Sequence, residues 1–140
     1  AEGTMGMFDW DPAYDIGVTS MNREHQVLLQ LMAKLQGVCD ANAPKAAVLT
    51  AVDALAAYTV THFRDEEALM ERIGFADRKL HGIIHKQLLD KLDEHRRAFV
   101  ASRDSVLAPA FFQFLKGWLK SHIMGIDTKY ATIARQQKSA

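Results

Sequence analysis

The sequence predicts an all-α protein, an up-down-up-down four-helix bundle preceded by an extended N-terminal arm. Three observations predict it. Apolar residues recur at i, i+3, i+4 and i+7 along four segments of about 20–30 residues each. The three prolines, at positions 12, 44 and 109, all sit where a helix has not begun or has just begun. No period-two apolar alternation bounded by turn residues stands out, so strands are not expected.

Residues 1–18 carry Trp10, Pro12, Tyr14 and Gly17 and read as an extended arm with aromatic anchors. The first helix starts at Thr19 or Ser20, either of which can cap it, and runs to about Asp40. Its apolar stripe is Met21, His25, Leu28, Leu29 and Met32. The second starts after Asn42, with Pro44 near its first turn, and runs to about Ile73, where Gly74 supplies a left-handed cap. Its stripe is Val48, Val52, Leu55, Tyr58, Thr59, His62, Glu66, Leu69, Met70 and Ile73. The third spans about 77–101 with Leu80, His81, Ile84, His85, Leu88, Leu92 and Phe99 facing inward. The fourth follows a short link holding Ser102, Asp104 and Pro109, and spans about 108–135. It turns Phe111, Phe114, Leu115, Trp118, His122 and Ile126 inward. The bundle thus occupies 19–135, and 136–140 reads as a tail.

A chain of 140 residues suits one domain, and 49% apolar with 24% charged residues is ordinary globular composition. Seventeen basic and 17 acidic side chains cancel, so no excess charge points to nucleic acid or an anionic membrane. No apolar run approaches the roughly 20 residues of a membrane span, so no membrane insertion is expected. The single cysteine, Cys39, cannot form an internal disulfide and reads as inert packing. A reducing compartment fits, and a cytoplasmic location is the expectation. Ala1–Gly6 lack the basic start and apolar stretch of an intact signal peptide.

Five of the six histidines fall on the inward stripes, and every helix contributes at least one. His62 and Glu66 are i, i+4, as are His81 and His85. Such pairs lie about 40° apart around the helix and about 6 Å along it, so both members reach one site. His25 and His122 approach from the other two helices. One histidine on an apolar stripe is more often a hydrogen-bonded core residue than a ligand. Five of them with a carboxylate are costly to bury without partners, and metal ions would remove that cost. Asp127 follows His122 by five residues, about 140° round a regular helix. A single-turn π-bulge would bring it to the same site, and Gly125 eases such a distortion. His95 points to the same side as His81 but lies about 21 Å further along the helix, so it reads as a surface or helix-end residue. Glu67, about 100° round from Glu66, should be solvated or paired.

The segments MNREH at 21–25, HFRDEEALM at 62–70, HGIIH at 81–85 and WLKSHIMGIDTKY at 118–130 carry a specific resemblance. They are similar to the hemerythrin family, and more narrowly to the bacterial hemerythrins, over about 10–130. The family pattern is one His, then H-x-x-x-E, H-x-x-x-H and H-x-x-x-x-D on successive helices. One departure is Asn22, where many relatives have an acidic residue; it touches the helix start or the ligands' surroundings.

The resemblance implies that His81, His85 and His122 hold one iron, that His25 and His62 hold another, and that Glu66 and Asp127 bridge them. It implies two Fe2+/Fe3+ ions with an oxo or hydroxo bridge. Of about twelve positions on two octahedral ions, that set leaves one vacant, on the two-histidine iron. Dioxygen is the implied ligand, for carriage, storage, delivery or sensing, and the chain is not expected to be an enzyme. The alternatives are a diiron oxidase or peroxidase-like enzyme, and an oxygen or redox sensor module with a protein partner. Ferritin-like diiron enzymes use Glu-x-x-His pairs and more carboxylates, whereas five imidazoles to two carboxylates favour binding. Ligand type alone also admits zinc or manganese. Trp118, Leu115, Met21, Leu29, Phe63 and Leu88 flank the ligands and would keep water out.

Overall fold

Proline and glycine mark the element boundaries where the sequence places them. The computed structural model describes residues 6–139; the first five residues of the arm and the last residue of the tail lie outside the described residues. A 3-10 turn, Pro12–Tyr14, precedes α1 (Thr19–Asp40), α2 (Lys45–Arg72), α3 (Arg78–Ala101) and α4 (Pro109–Ser121). A π-helical turn, His122–Asp127, joins α4 to α5 (Thr128–Ser139) without a break, so the last three elements form one rod and the bundle has four. Its core includes Leu28, Met32, Leu35, Val48, Leu55, Met70, Leu115, Leu119 and Ile123.

Several boundaries rest on visible chemistry. Pro44 stands immediately before α2 in extended conformation. Gly74 ends α2 at φ +69°, a conformation that glycine adopts without strain. Around it Phe75 N–H donates to Met70 O (2.9 Å) and Gly74 N–H to Glu71 O (3.1 Å), which satisfies carbonyls the helix end would otherwise leave open.

Other expectations need correction. The described part of the arm is folded rather than extended. Pro12 sets a 3-10 turn, capped by Asp11, that turns Tyr14 into the core. Phe8 packs on Phe112 of α4, and Lys116 of α4 donates to Tyr14 Oη (3.1 Å). Neither Thr19 nor Ser20 caps α1; Val18 holds that position with no side-chain bond. Asn22, one turn inside, takes over. Its Oδ1 accepts from Ile16 N–H (3.0 Å), and its Nδ2 donates to Asp15 Oδ1 (2.7 Å), tying the arm to the helix. The Gly17 N–H and the Asn22 amide hold the Asp15 carboxyl below its ordinary range.

Leu80 is 57% exposed, not inward, because the core-facing line of α3 runs through His81, His85, Leu92 and Phe99. The last helix continues to Ser139, beyond the expected end near 135. By length and composition α2 is apolar enough to cross a membrane, contrary to the expectation that no segment approaches this. Its alanines, valines and leucines carry that hydropathy, and here it is a core helix of the bundle.

Replacing Asn22 with Ala leaves the N–H of buried Ile16 without its partner. Chemical denaturation should show a loss of about 1–2 kcal/mol.

Candidate metal centre

Seven side chains from all four rods meet inside the bundle. His25 comes from α1, His62 and Glu66 from α2, His81 and His85 from α3, and His122 and Asp127 from the two ends of the π-helical turn. The wider turn removes the angular offset that a regular helix imposes on residues five apart, which returns Asp127 to the face of His122. None of the seven is more than 3% exposed.

Their donor atoms form two groups that share Glu66. Glu66, His81, His85 and His122 make one; His25, His62, Glu66 and Asp127 make the other; within each, the atoms lie within 4.8 Å of one another. Asp127 reaches both sides. Its Oδ1 is 3.2 Å from His81 Nε2 and 3.1 Å from His122 Nε2, while its Oδ2 is 3.1 Å from His25 Nε2. Glu66 Oε1 is 3.0 Å from His85 Nε2 and 3.4 Å from His62 Nε2.

These contacts are close without being hydrogen bonds. His25 Nε2, His81 Nε2, Glu66 Oε1 and both Asp127 oxygens are buried, and none meets hydrogen-bond geometry with a partner. Two imidazole nitrogens, His85 Nε2 and His122 Nε2, face each other at 3.2 Å. Buried polar atoms are normally paired, so lone pairs converging on shared points without alignment to one another are the signature of cation sites. The donor set fits a pair of metal ions bridged by carboxylates.

Electrostatics point the same way. Burial pulls His25 down, but Asp127 and Glu66 outweigh it and lift its pKa to about 9. His122 behaves alike: burial opposes its charge, and the same two carboxylates raise it to about 10. Burial alone would raise Glu66, yet His62, His122, His25 and His85 hold it well below the carboxylate range. Burial and Glu66 press Asp127 upward, and His122 and His25 outweigh them. In the metal-free protein, protons do the work of cations.

A second layer orients the first. Glu24 Oε1 lies 2.7 Å from His62 Nδ1, and Glu67 Oε2 lies 3.2 Å from His85 Nδ1. Each carboxylate accepts a hydrogen bond from the outer imidazole N–H, which leaves Nε2 with its lone pair toward the centre. The fully buried Tyr130 donates to Glu66 Oε2 at 2.6 Å. Burial, then Glu66 and Asp127, raise its pKa and keep that proton on the phenol. Phe63 stacks on His85, ring centroids 3.7 Å apart and 2° from parallel, and Trp118 meets the Phe63 ring edge-on at 6.0 Å.

Sequence reasoning missed Glu24 and Tyr130. Tyr130 stands three residues after Asp127, a spacing that could have revealed it. Glu24 lies about 100° round from His25, and only the packing of α1 on α2 brings it to His62. Of the two options for Glu67, solvated or paired, the structure shows the pair. His95 is half-buried against Phe111 and Phe114, with ring centroids 5.3 and 4.8 Å away, and belongs to neither donor group.

Known proteins resemble this chain in sequence and fold. The profile of the hemerythrin HHE cation binding domain matches residues 16–134. A myohemerythrin from Riftia pachyptila is 34% identical over 121 residues, 86% of this chain and 88% of that protein. A bacteriohemerythrin from Stenotrophomonas maltophilia (strain R551-3) is 29% identical over 127 residues, 91% of this chain and 81% of that protein. The crystal structure of a wild-type hemerythrin superposes with a TM-score of 0.79 at 26% identity, covering 89% of this chain and 95% of that one. With the family profile spanning all four rods and every one of the seven converging side chains, the chain belongs to the hemerythrin family.

Proposed function

We propose that the chain holds two non-haem iron ions, with an oxo or hydroxo bridge, and binds dioxygen reversibly for carriage, storage, delivery or sensing. The observation that carries this reading is the unequal donor set. Three imidazoles, His81, His85 and His122, stand on one side, and two, His25 and His62, on the other, with Glu66 and Asp127 between them. The side with fewer donors leaves a coordination position for an outside ligand, as sites that bind or react do. When bound, the iron pair supplies the electrons that reversible dioxygen binding draws on.

The chain's own residues give that chemistry its setting. Met21 and Leu29 stand one turn to either side of His25, Phe63 follows His62, and Leu119 and Ile123 flank His122; all are buried. An apolar wall of this kind excludes water and protons that would make binding irreversible. Tyr130 ties down one oxygen of Glu66 and leaves the other turned to the imidazoles. Five neutral imidazoles against two carboxylates lend the centre little negative charge, which favours holding a ligand over cleaving it. That ratio supports binding over the diiron oxidase or peroxidase-like reading.

Metal analysis should find about two irons per chain, the number its two donor groups can hold. Reduction without air, followed by admission of oxygen, should give a stable visible band that a vacuum removes. Immediate passage to the oxidised form would favour turnover. His62→Ala should weaken the two-histidine side and abolish oxygen binding; full binding in that variant would refute the assignment. Loading should also release protons. At pH 7 the metal-free protein holds His25 and His122 protonated, with pKa values of about 9 and about 10. Each ion must displace one of these protons, so its apparent affinity should fall as pH drops below 9, by up to about tenfold per pH unit. Chelator competition at pH 6 and pH 8 measures this slope.

A further inference from the structure

We infer that Glu67 is a positioning residue for the three-histidine half of the centre, and that Gly82 is what lets it act. This rests on the proposed metal pair but adds residues that the ligand set leaves out. Glu66 and Glu67 are neighbours on α2 with opposite duties. Glu66 points into the core and is fully buried, whereas Glu67 lies in an open groove of about 620 Å³ between α2 and α3. From there its Oε2 reaches across to His85 Nδ1 at 3.2 Å. Arg64, Lys79 and Lys86 line the same groove, yet it is the imidazole of α3 that Glu67 engages.

The geometry assigns a task to this contact. The carboxylate accepts a hydrogen bond from Nδ1–H, which leaves the lone pair on Nε2, the atom that faces Glu66 and His122. Phe63, stacked 2° from parallel, sets the plane of the ring, and Glu67 sets its rotation within that plane. Glu24 does the same for His62 on the other side at 2.7 Å. The two braces differ in setting: Glu24 is 19% exposed and Glu67 47%. The three-histidine side is therefore held by the wetter and longer contact.

Gly82 completes the device. Glycine inside a helix is unfavourable, and the backbone here is ordinary α-helix with no positive φ to require it. A Cβ at this position would lie 3.2 Å from Glu67 Oε1 and 3.9 Å from its Cδ. A methyl group there would crowd the carboxylate and push it by a few tenths of an ångström, so the glycine gives Glu67 room to lie against α3.

The test uses variants at the two positions and two measurements. The first is the rate at which a chelator strips iron from the loaded protein. The second is the His85 Nδ1–H proton resonance in the zinc-loaded and metal-free proteins. Glu67→Ala should speed iron loss roughly 10–100-fold and move the proton resonance upfield into fast exchange with water. Glu67→Gln keeps an acceptor oxygen and should restore most of both signals. Gly82→Ala should raise the unfolding temperature, because Ala favours helix, and yet speed iron loss. A purely structural role would move those two in the same direction. In the double variant, Glu67→Ala with Gly82→Ala, iron loss should be no faster than with Glu67→Ala alone. Unchanged iron loss and an unchanged proton resonance in Glu67→Ala would overturn the inference, as would independent, multiplying effects in the double variant. If the wild type binds no iron pair, the functional reading fails by metal count alone, and the proton resonance of the metal-free protein still decides whether Glu67 orders His85.

Discussion

Two carboxylates and five imidazoles sit in an apolar interior, where they answer one another's charge and meet few other polar partners: Glu24, Glu67 and Tyr130. An unpaired charge in such surroundings costs several kcal/mol, so the group is tolerable only if every member is present and in register. Because each rod supplies at least one member, none can slide or rotate without leaving the others short. The apolar stripes give the bundle its cohesion. The polar cluster tells the four rods how to line up, and three braces reach it from α1, α2 and α5, through Glu24, Glu67 and Tyr130.

The two buried carboxylates face positive charge even without metal. In the metal-free protein His25 and His122 take up protons at pH values where free imidazole would not, while Glu66 and Asp127 stay ionised. Cations are thus supplied by solvent when none come from metal. The same carboxylates serve both states.

Much of this was legible in the sequence. The i, i+4 pairs at His62 with Glu66 and His81 with His85 needed only helical periodicity. The distortion at His122–Asp127 followed from a conflict: the resemblance required Asp127 to face inward, and a regular helix turned it away. What stayed hidden depended on contacts between helices. Glu24 looks like a surface residue of α1 until α2 packs beside it and offers His62 Nδ1. Leu80 reads as core because it is large and apolar and next to His81, yet position on the helix outweighs hydrophobicity, and it faces solvent. Thr19 and Ser20 are good capping residues that cap nothing, because Asn22 gathers the arm from one turn further in.

The π-helical turn carries one more residue per turn than the helix on either side, so it acts as a phase shifter. Everything downstream is rotated as a block, and Tyr130 and Ala131 are both fully buried as a result. The spacing between His122 and Asp127 is therefore a length as well as a pattern. Met124 and Gly125 are exposed and bring no donor to the centre, but their number is fixed. One residue fewer would turn α5 by about 100° and withdraw a ligand, a brace and a packed helix face together. In this stretch of chain it is the count, rather than the identity, of residues that the centre reads.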